Sequence, residues 1–322
     1  MSAPNTPFYP MTHDDAVALT AAIAALTPGL VTTTQRGMLA PDAEAIANGF
    51  IKPATSSNKG LMSAAFAALL ESPEALVFTK GKSLTQNAGF HNSIYRGKYL
   101  GNSVTAAQYA AISAGTFDDL FIGDYWTINS VNWRIAAFDY WLNCGDTSCT
   151  THHVVIVPDS NLASAQMNST NITTGAYIGS DMYTGANSNT GLSTAKSTIN
   201  SAFGSAHILN HRQLFANAVT DGMASGWAWY DSTVDLMNES MVYGSPVSGA
   251  RKTGDTNFNV GIDKSQLPLF QHDISRACNR ASWWLRDVAS AALFADVNAG
   301  GNAGYYGASN SVGVRPAFGI RA

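Results

Sequence analysis

Charged side chains are scarce in this sequence: Asp, Glu, Lys and Arg make up 12% of 322 residues, and the formal net charge is −4 with a pI near 5.9. No basic field exists to hold a phosphate backbone, so no nucleic-acid partner is expected. Cysteine is scarce too. Cys144, Cys149 and Cys278 are too few, and odd in number, for a disulfide framework in so long a chain, which fits synthesis in a reducing cytosol. No stretch approaches the roughly 20 apolar residues of a membrane-spanning helix. The start, MSAPNTPFYPMTHDD, lacks the basic region and apolar core of a secretion signal, so neither a membrane nor a secretory route is expected. Catalytic signatures are missing as well: G-x-S-x-G, H-E-x-x-H, Walker A and G-x-G-x-x-G do not occur, and a pair such as His272 with Asp273 is too generic to name a mechanism. Neither an enzyme nor a cofactor is expected.

What is present begins with apolar content: 46% of residues are hydrophobic, enough for a full core and for two or three domains. Thr12 caps the segment HDDAVALTAAIAALTPG, in which Asp14 and Asp15 occupy the first turn. Ala16, Leu19, Ile23 and Leu26 follow at helical spacing, and Pro28 and Gly29 stop the helix. A degenerate repeat comes next, QRGMLAPDAEAI from Gln35 and NKGLMSAAFAAL from Asn58, each with a Thr/Ser-rich lead-in, a basic residue, a glycine and an alanine-rich helical stretch. Such units stack on neighbours, within one chain or between chains; two unrelated helical hairpins sharing a turn signal are the alternative. Residues 1–90 thus read as a small helical and extended oligomerisation segment.

Near residue 91 aromatics and short alternating runs replace alanine, which places a domain boundary there and predicts an α+β domain over 91–322. TFDDLFIGDYWTINSVNWRIAAFDYWL reads as an antiparallel hairpin turning at Asn129 and Ser130. HHVVIVPD reads as a buried strand closed by Pro158 and Asp159. Val104–Gly115 and Ser197–Ala216 are predicted helices, the first ending on a C-cap glycine. The uncharged Ser/Thr/Asn/Gly-rich stretch from Ser160 to Ser197 reads as loop-dominated surface, in which Asn168 and Asn171 match glycosylation sequons that have no use without a secretory route. WAWYDSTVDLMNESMVYGS and QLPLF predict further aromatic strands and short helical turns.

Three clusters invite a chemical reading. CGDTSCTTHH gathers Cys144, Cys149, His152 and His153, which leaves a metal site, a local disulfide or ordinary side chains open. Asp118, Asp119 and Asp124 lack EF-hand spacing and read as turn and capping residues. Trp227, Trp229 and Tyr230 form one aromatic group, Trp283 and Trp284 another; sugar stacking is one use of such groups, and core packing is the expectation for Trp283 and Trp284, which lead into Leu285 and Arg286.

The segment Asp287–Val312, DVASAALFADVNAGGNAGYYGASNSV, contains no Lys, Glu, Gln, Trp or Met. Those five residues are the ones that asparagine codons of the AAC/AAT type cannot reach when their adenines are randomised. The segment stands between WWLR and GVRPAF. This frame, with ASNS before its second half, resembles the variable region of proteins diversified by diversity-generating retroelements, carried on a C-type-lectin-like domain. YRGKYLG, AAISAGTFDDLFIGDYWTINSVNWRIAAFDYWL and HHVVIVPDSNL resemble lectin-like domains of bacteriophage fibre proteins, and TTTQRGMLAPDAEA and TSSNKGLMSAAFAAL resemble a repeated segment of phage head and tail fibres.

The resemblance implies a framework of Trp284, Leu285, Arg286, Val314, Arg315, Pro316 and Phe318 around a ligand-binding surface of about 287–312. The residues expected to bind are Asp287, Ala289, Ser290, Phe294, Asp296, Asn298, Asn302, Tyr305, Tyr306 and Asn310. The alternation across the segment is compatible with a hairpin whose exposed side carries Asp296, Asn298, Asn302, Tyr305 and Tyr306. Tyr, Asn, Ser, Gly and Asp suit an adaptable paratope. E-P-N, Q-P-D and W-N-D signatures are absent, so calcium-dependent sugar binding is not implied; the catalytic cysteine pair of formylglycine-generating enzymes is not evident either. The expectation is a homotrimeric virion fibre or receptor-binding protein that contacts a host-cell surface protein or glycan, and other virion proteins through its N-terminal segment. A structural capsid decoration or head-fibre protein is the alternative.

Overall fold

The computed structural model describes residues 86–250 and 265–322. The predicted helix after Thr12 and both repeat copies lie outside the described residues. The compact unit that contains the described residues spans Thr85–Ala322, and its architecture is mixed α+β. Its first helix, α1 (Ala88–Asn92), straddles the expected boundary at residue 91 and belongs to this unit: His91 is fully buried and donates from Nδ1 to Leu120 O at 2.6 Å.

β1 (Tyr99–Gly101) leads to α2 (Ala106–Ala114), where Thr105 and Gln108 form a reciprocal capping box and Gly115, at φ 68°, closes the C-terminus in the left-handed region. The expected hairpin is β2 (Tyr125–Ile128) and β3 (Val131–Phe138), turned by Asn129 and Ser130 at φ 52° and 65°. Two successive left-handed residues give a turn whose twist matches the strands. β4 (Val154–Pro158) is buried at every position, as its unbroken apolar run predicts.

The stretch expected to be loop departs from that expectation. It holds β5 (Ala163–Ala165), α3 (Asp181–Thr184) and the start of α4 (Gly191–Phe203). The helix predicted over Ser197–Ala216 ends at Phe203, because Gly204 turns the chain away at φ 80° and ψ 133°. His211–Thr220 is instead strand β6, paired with β7 (Met223–Ser232) across Asp221 and Gly222 at φ 54° and 75°. That Asp-Gly pair between alternating runs is a hairpin signal, and it outweighs the helical spacing.

β8 (Val234–Leu236) precedes α5 (Glu239–Tyr243), and α6 (Pro268–His272) precedes the C-terminal strands. These are β9 (Trp283–Val288), β10 (Leu293–Val297), β11 (Ala303–Gly307), β12 (Val312–Val314) and β13 (Pro316–Ile320). Among the described residues one sheet has the order β1-β2-β3-β4-β13-β8, a second β11-β10-β9-β12-β5, and β6-β7 stands as a separate ribbon. Between β12 and β13 the chain crosses from the second sheet to the first at one residue, Arg315.

Two apolar clusters fill the unit. One gathers Trp126, Trp133, Trp141, Trp283 and Phe318; the other gathers Trp284, Phe294, Phe215, Tyr177 and Val314. Trp283 and Trp284 are adjacent on β9 and face opposite sides of the sheet, so each enters a different cluster. Both are fully buried, as the core reading expects. Trp227, Trp229 and Tyr230 pack as half-buried edges of these clusters. No helix among the described residues is long and apolar enough to cross a membrane.

Candidate functional site

Two arginines anchor the ends of the framed segment. Arg286 is buried on β9 and donates from Nη1 to Gln213 Oε1 at 2.5 Å and to Leu236 O at 3.1 Å, its guanidinium 4.8 Å over the Phe215 ring. Arg315 is 1% exposed and donates to Pro158 O at 2.7 Å and Arg276 O at 3.0 Å, 5.0 Å over the Trp283 ring. Burial pulls the Arg315 pKa down to about 10, the nearby Asp159 charge offsetting part of that change. At neutral pH it stays charged and serves as a clamp of main-chain carbonyls.

Between the clamps, β10 and β11 form the expected antiparallel hairpin, with Phe294 opposite Tyr306, Ala295 opposite Tyr305 and Asp296 opposite Gly304. β11 lies at the edge of its sheet among the described residues, so both tyrosines reach solvent: Tyr305 is 59% and Tyr306 41% exposed. Tyr306 stands edge-on to Trp284 with ring centroids 6.5 Å apart, and the Trp284 indole is itself held by donation to Ala165 O at 2.8 Å. Tyr306 is therefore braced from beneath.

The ten expected binding residues divide. Asn302, Tyr305, Tyr306 and Asn310 are exposed, as expected. Asn298 is half-buried at the hairpin tip, its side-chain carbonyl accepting from Gly300 N at 2.8 Å and Asn302 N at 3.1 Å. Ala289 and Ser290 form the half-buried β9–β10 turn, which Thr173 clasps by donating its hydroxyl to Ser290 O at 2.9 Å. Asp287 accepts the Glu239 N–H at 2.6 Å and so holds α5. The Glu239 carboxylate in turn accepts N–H bonds from Val247, Ser248 and Gly249 at 2.7–2.8 Å.

Phe294 and Asp296 correct the expectation. Phe294 is fully buried in the second apolar cluster, and Asp296 is 1% exposed rather than on the open face. β10 has strands on both flanks and packed layers on both sides, so its alternation separates two cores, not core from solvent. Neither Asp296 carboxylate oxygen has a hydrogen-bond partner among the described residues. Burial raises its pKa to about 6, with the nearby Ser282 offsetting only part of the change.

A groove of about 760 Å³ lies beside Tyr306. One wall comes from the framed segment, through Tyr306, Ser309 and Asn310; the other comes from Asn161, Ser164 and Ser282. Among the described residues no charged side chain lines it. The two walls are tied together: Ser164 and Ser311 hydroxyls are 3.0 Å apart, and Asn171 Oδ1 accepts from Ser309 N at 2.9 Å and Ser309 Oγ at 2.8 Å. Asn161, Ser164 and Ser282 are not among the residues expected from the sequence, because the first two sit in the stretch that reads as loose surface. Their one signal is the density of short hydrogen-bonding side chains there. The sequon residue Asn168 is buried and engaged, donating to Ile172 O at 2.7 Å and accepting from Asp181 N at 2.8 Å.

The other chemical candidates resolve into structure. Asp124 is fully buried and accepts from Lys98 N at 2.8 Å, Phe121 N at 2.9 Å and Arg96 Nη2 at 2.6 Å; Asp119 pairs with Arg96 and Lys98. His152 pairs with Asp139 at 2.7 Å. His153 accepts the Trp141 N–H at Nε2 and donates from Nδ1 to Thr151 O, while its main-chain N–H donates to the other Asp139 oxygen at 2.9 Å, so one carboxylate holds both histidines in place. Among the described residues no group of three or more His, Cys, Asp or Glu is placed to hold a metal ion, and all three cysteines are free thiols. Comparison with family models, with curated proteins and with solved structures finds no match to this chain.

Proposed function

We propose that this chain is a bacteriophage fibre or receptor-binding protein, not an enzyme, whose C-type-lectin-like domain binds a host-cell surface protein or glycan through β10–β11 and the loop leading to β12. The observation that carries the reading is a contrast in burial along one segment. Its ends, Trp283–Arg286 and Val312–Ile320, are buried throughout, while Asn302, Tyr305, Tyr306 and Asn310 between them meet solvent, Tyr306 and Asn310 lining an uncharged groove. A rigid frame holding replaceable exposed residues is what a diversified binding surface requires. Aromatic area with few rotatable bonds, next to amides and hydroxyls, suits contact with either class of ligand.

Homotrimerisation through residues 1–90 and residence in the virion complete the proposal. Weak single contacts would then be multiplied by several copies without new chemistry. The test is binding of the purified full chain to panels of bacterial cells, comparing wild type with Tyr305→Ala/Tyr306→Ala. Loss of two central aromatic contacts is expected to weaken binding at least about tenfold with an unchanged melting temperature. Unchanged binding would overturn the receptor reading in favour of a structural decoration protein.

A further inference from the structure

The loop from β3 to β4 carries two of the three cysteines, and its main chain brings them together. The Cys149 N–H donates to Cys144 O at 3.0 Å, while Asn143 N–H donates to Cys149 O at 2.7 Å. Leu142 and Cys149 form an isolated bridge. The 3.0 Å N–H···O bond holds the Cys144 and Cys149 Cα atoms less than about 7 Å apart, at or near the window of roughly 4.4–6.8 Å that a disulfide spans.

The side chains are held only loosely. Cys144 Sγ lies 3.6 Å from Leu142 O and Cys149 Sγ 3.7 Å from Thr151 O, contacts too weak to compete with a covalent bond. The loop itself is anchored without the sulfurs. Asp146 receives two hydrogen bonds from Arg212, at 2.7 and 3.0 Å, and Gly145 turns the chain at φ 105°, where a Cβ would strike Thr147 O and Arg212 Cβ at 2.8 Å. Closing a bond between the thiols therefore asks for side-chain rotation and no rebuilding of the loop.

We propose that Cys144 and Cys149 are a redox-responsive pair that closes to an intrachain disulfide when the protein meets an oxidising thiol–disulfide couple. With oxidised glutathione, the half-buried Cys144 thiolate attacks one glutathione sulfur and releases one glutathione thiolate. The Cys149 thiolate then displaces the second glutathione from Cys144. Two protein thiols lose two protons and two electrons, one Sγ–Sγ bond forms, and one glutathione disulfide becomes two thiols. Burial, and secondarily the Cys149 thiol, raises the Cys144 pKa, so the first step quickens as pH rises. The bond would pin one wall of a groove of about 420 Å³ lined by Cys149, Thr150, Thr151, His211 and Arg212. This inference is independent of the proposed function.

The test treats the reduced, folded full chain with oxidised glutathione at mildly alkaline pH, blocks remaining thiols with N-ethylmaleimide, and reads intact and peptide masses. The expected result is a loss of about 2 Da confined to the peptide carrying both cysteines, with the exposed Cys278 left as a separately modified reference. Cys144→Ser should abolish that loss, and Cys278→Ser should preserve it. Full alkylation of Cys144 and Cys149 after oxidation would overturn the proposal. So would stable glutathione adducts on either residue, chain-to-chain links through them, or a bond that forms only in urea.

Discussion

At the scale of single residues, a carboxyl group without hydrogen-bond partners is disfavoured chiefly in its charged form. Asp296 is in that position, and burial lifts its pKa from the ordinary 3.8 to about 6. The folded state then binds the proton more tightly than the unfolded state. The stability this contributes is fully present below about pH 4 and falls as pH rises towards 6, where the charge has formed. At pH 8 the penalty is roughly 3 kcal/mol, because a tenfold difference in proton affinity is worth about 1.4 kcal/mol. Asp296→Asn, which cannot ionise, is expected to raise the melting temperature at pH 8 and leave it nearly unchanged at pH 4. Equal effects at the two pH values in a thermal-melt series would refute this account.

At the scale of elements, the β10–β11 hairpin couples two positions that the sequence alone presents as independent. Gly304 faces Asp296 across the pair, and a Cβ added there would stand 2.6 Å from Asp296 Oδ1. The carboxyl group is short and buried, so it has little room to withdraw. Gly304→Ala is expected to cost about 1–3 kcal/mol as overpacking. In an Asp296→Ala background the same change should cost much less, giving a coupling energy of about 1 kcal/mol or more in a double-mutant cycle. Additive effects would show that the hairpin relaxes freely. On the proposed function, a side chain at 304 would require a smaller neighbour at 296, so exchange inside the hairpin would be less free than at Tyr305, Tyr306 or Asn310.

At the scale of the whole molecule, Arg315 joins the two larger sheets at the point where β12 passes into β13. Its guanidinium satisfies carbonyls of Pro158 and Arg276, which belong to separate segments. Arg315→Met keeps the length of the side chain and removes the donors, leaving those carbonyls unpaired. The expected loss is about 3 kcal/mol of unfolding free energy, measured by urea denaturation of the full chain. A loss below about 1 kcal/mol would show that water or a neighbouring donor takes over.

Features set by local geometry are legible in the amino-acid order. The Asn129–Ser130 hairpin, the capped helix ending at Gly115, the buried run of β4 and the burial of Trp283 and Trp284 follow from turn preference, capping and apolar content, all of which act within a few residues. The two arginine bookends and the exposed tyrosines are expected from the resemblance of the frame to a variable region, and their burial and exposure match that expectation. Ser197–Ala216 misleads because its first turns are helical and only pairing with β7 makes its second half a strand. Asp296 and Phe294 mislead because alternation separates the faces of a strand without saying what covers them. That β10 is packed on both sides and that Ser164 and Asn161 wall the groove were decided by tertiary structure alone. Each depends on contacts between main-chain segments whose meeting no local preference encodes.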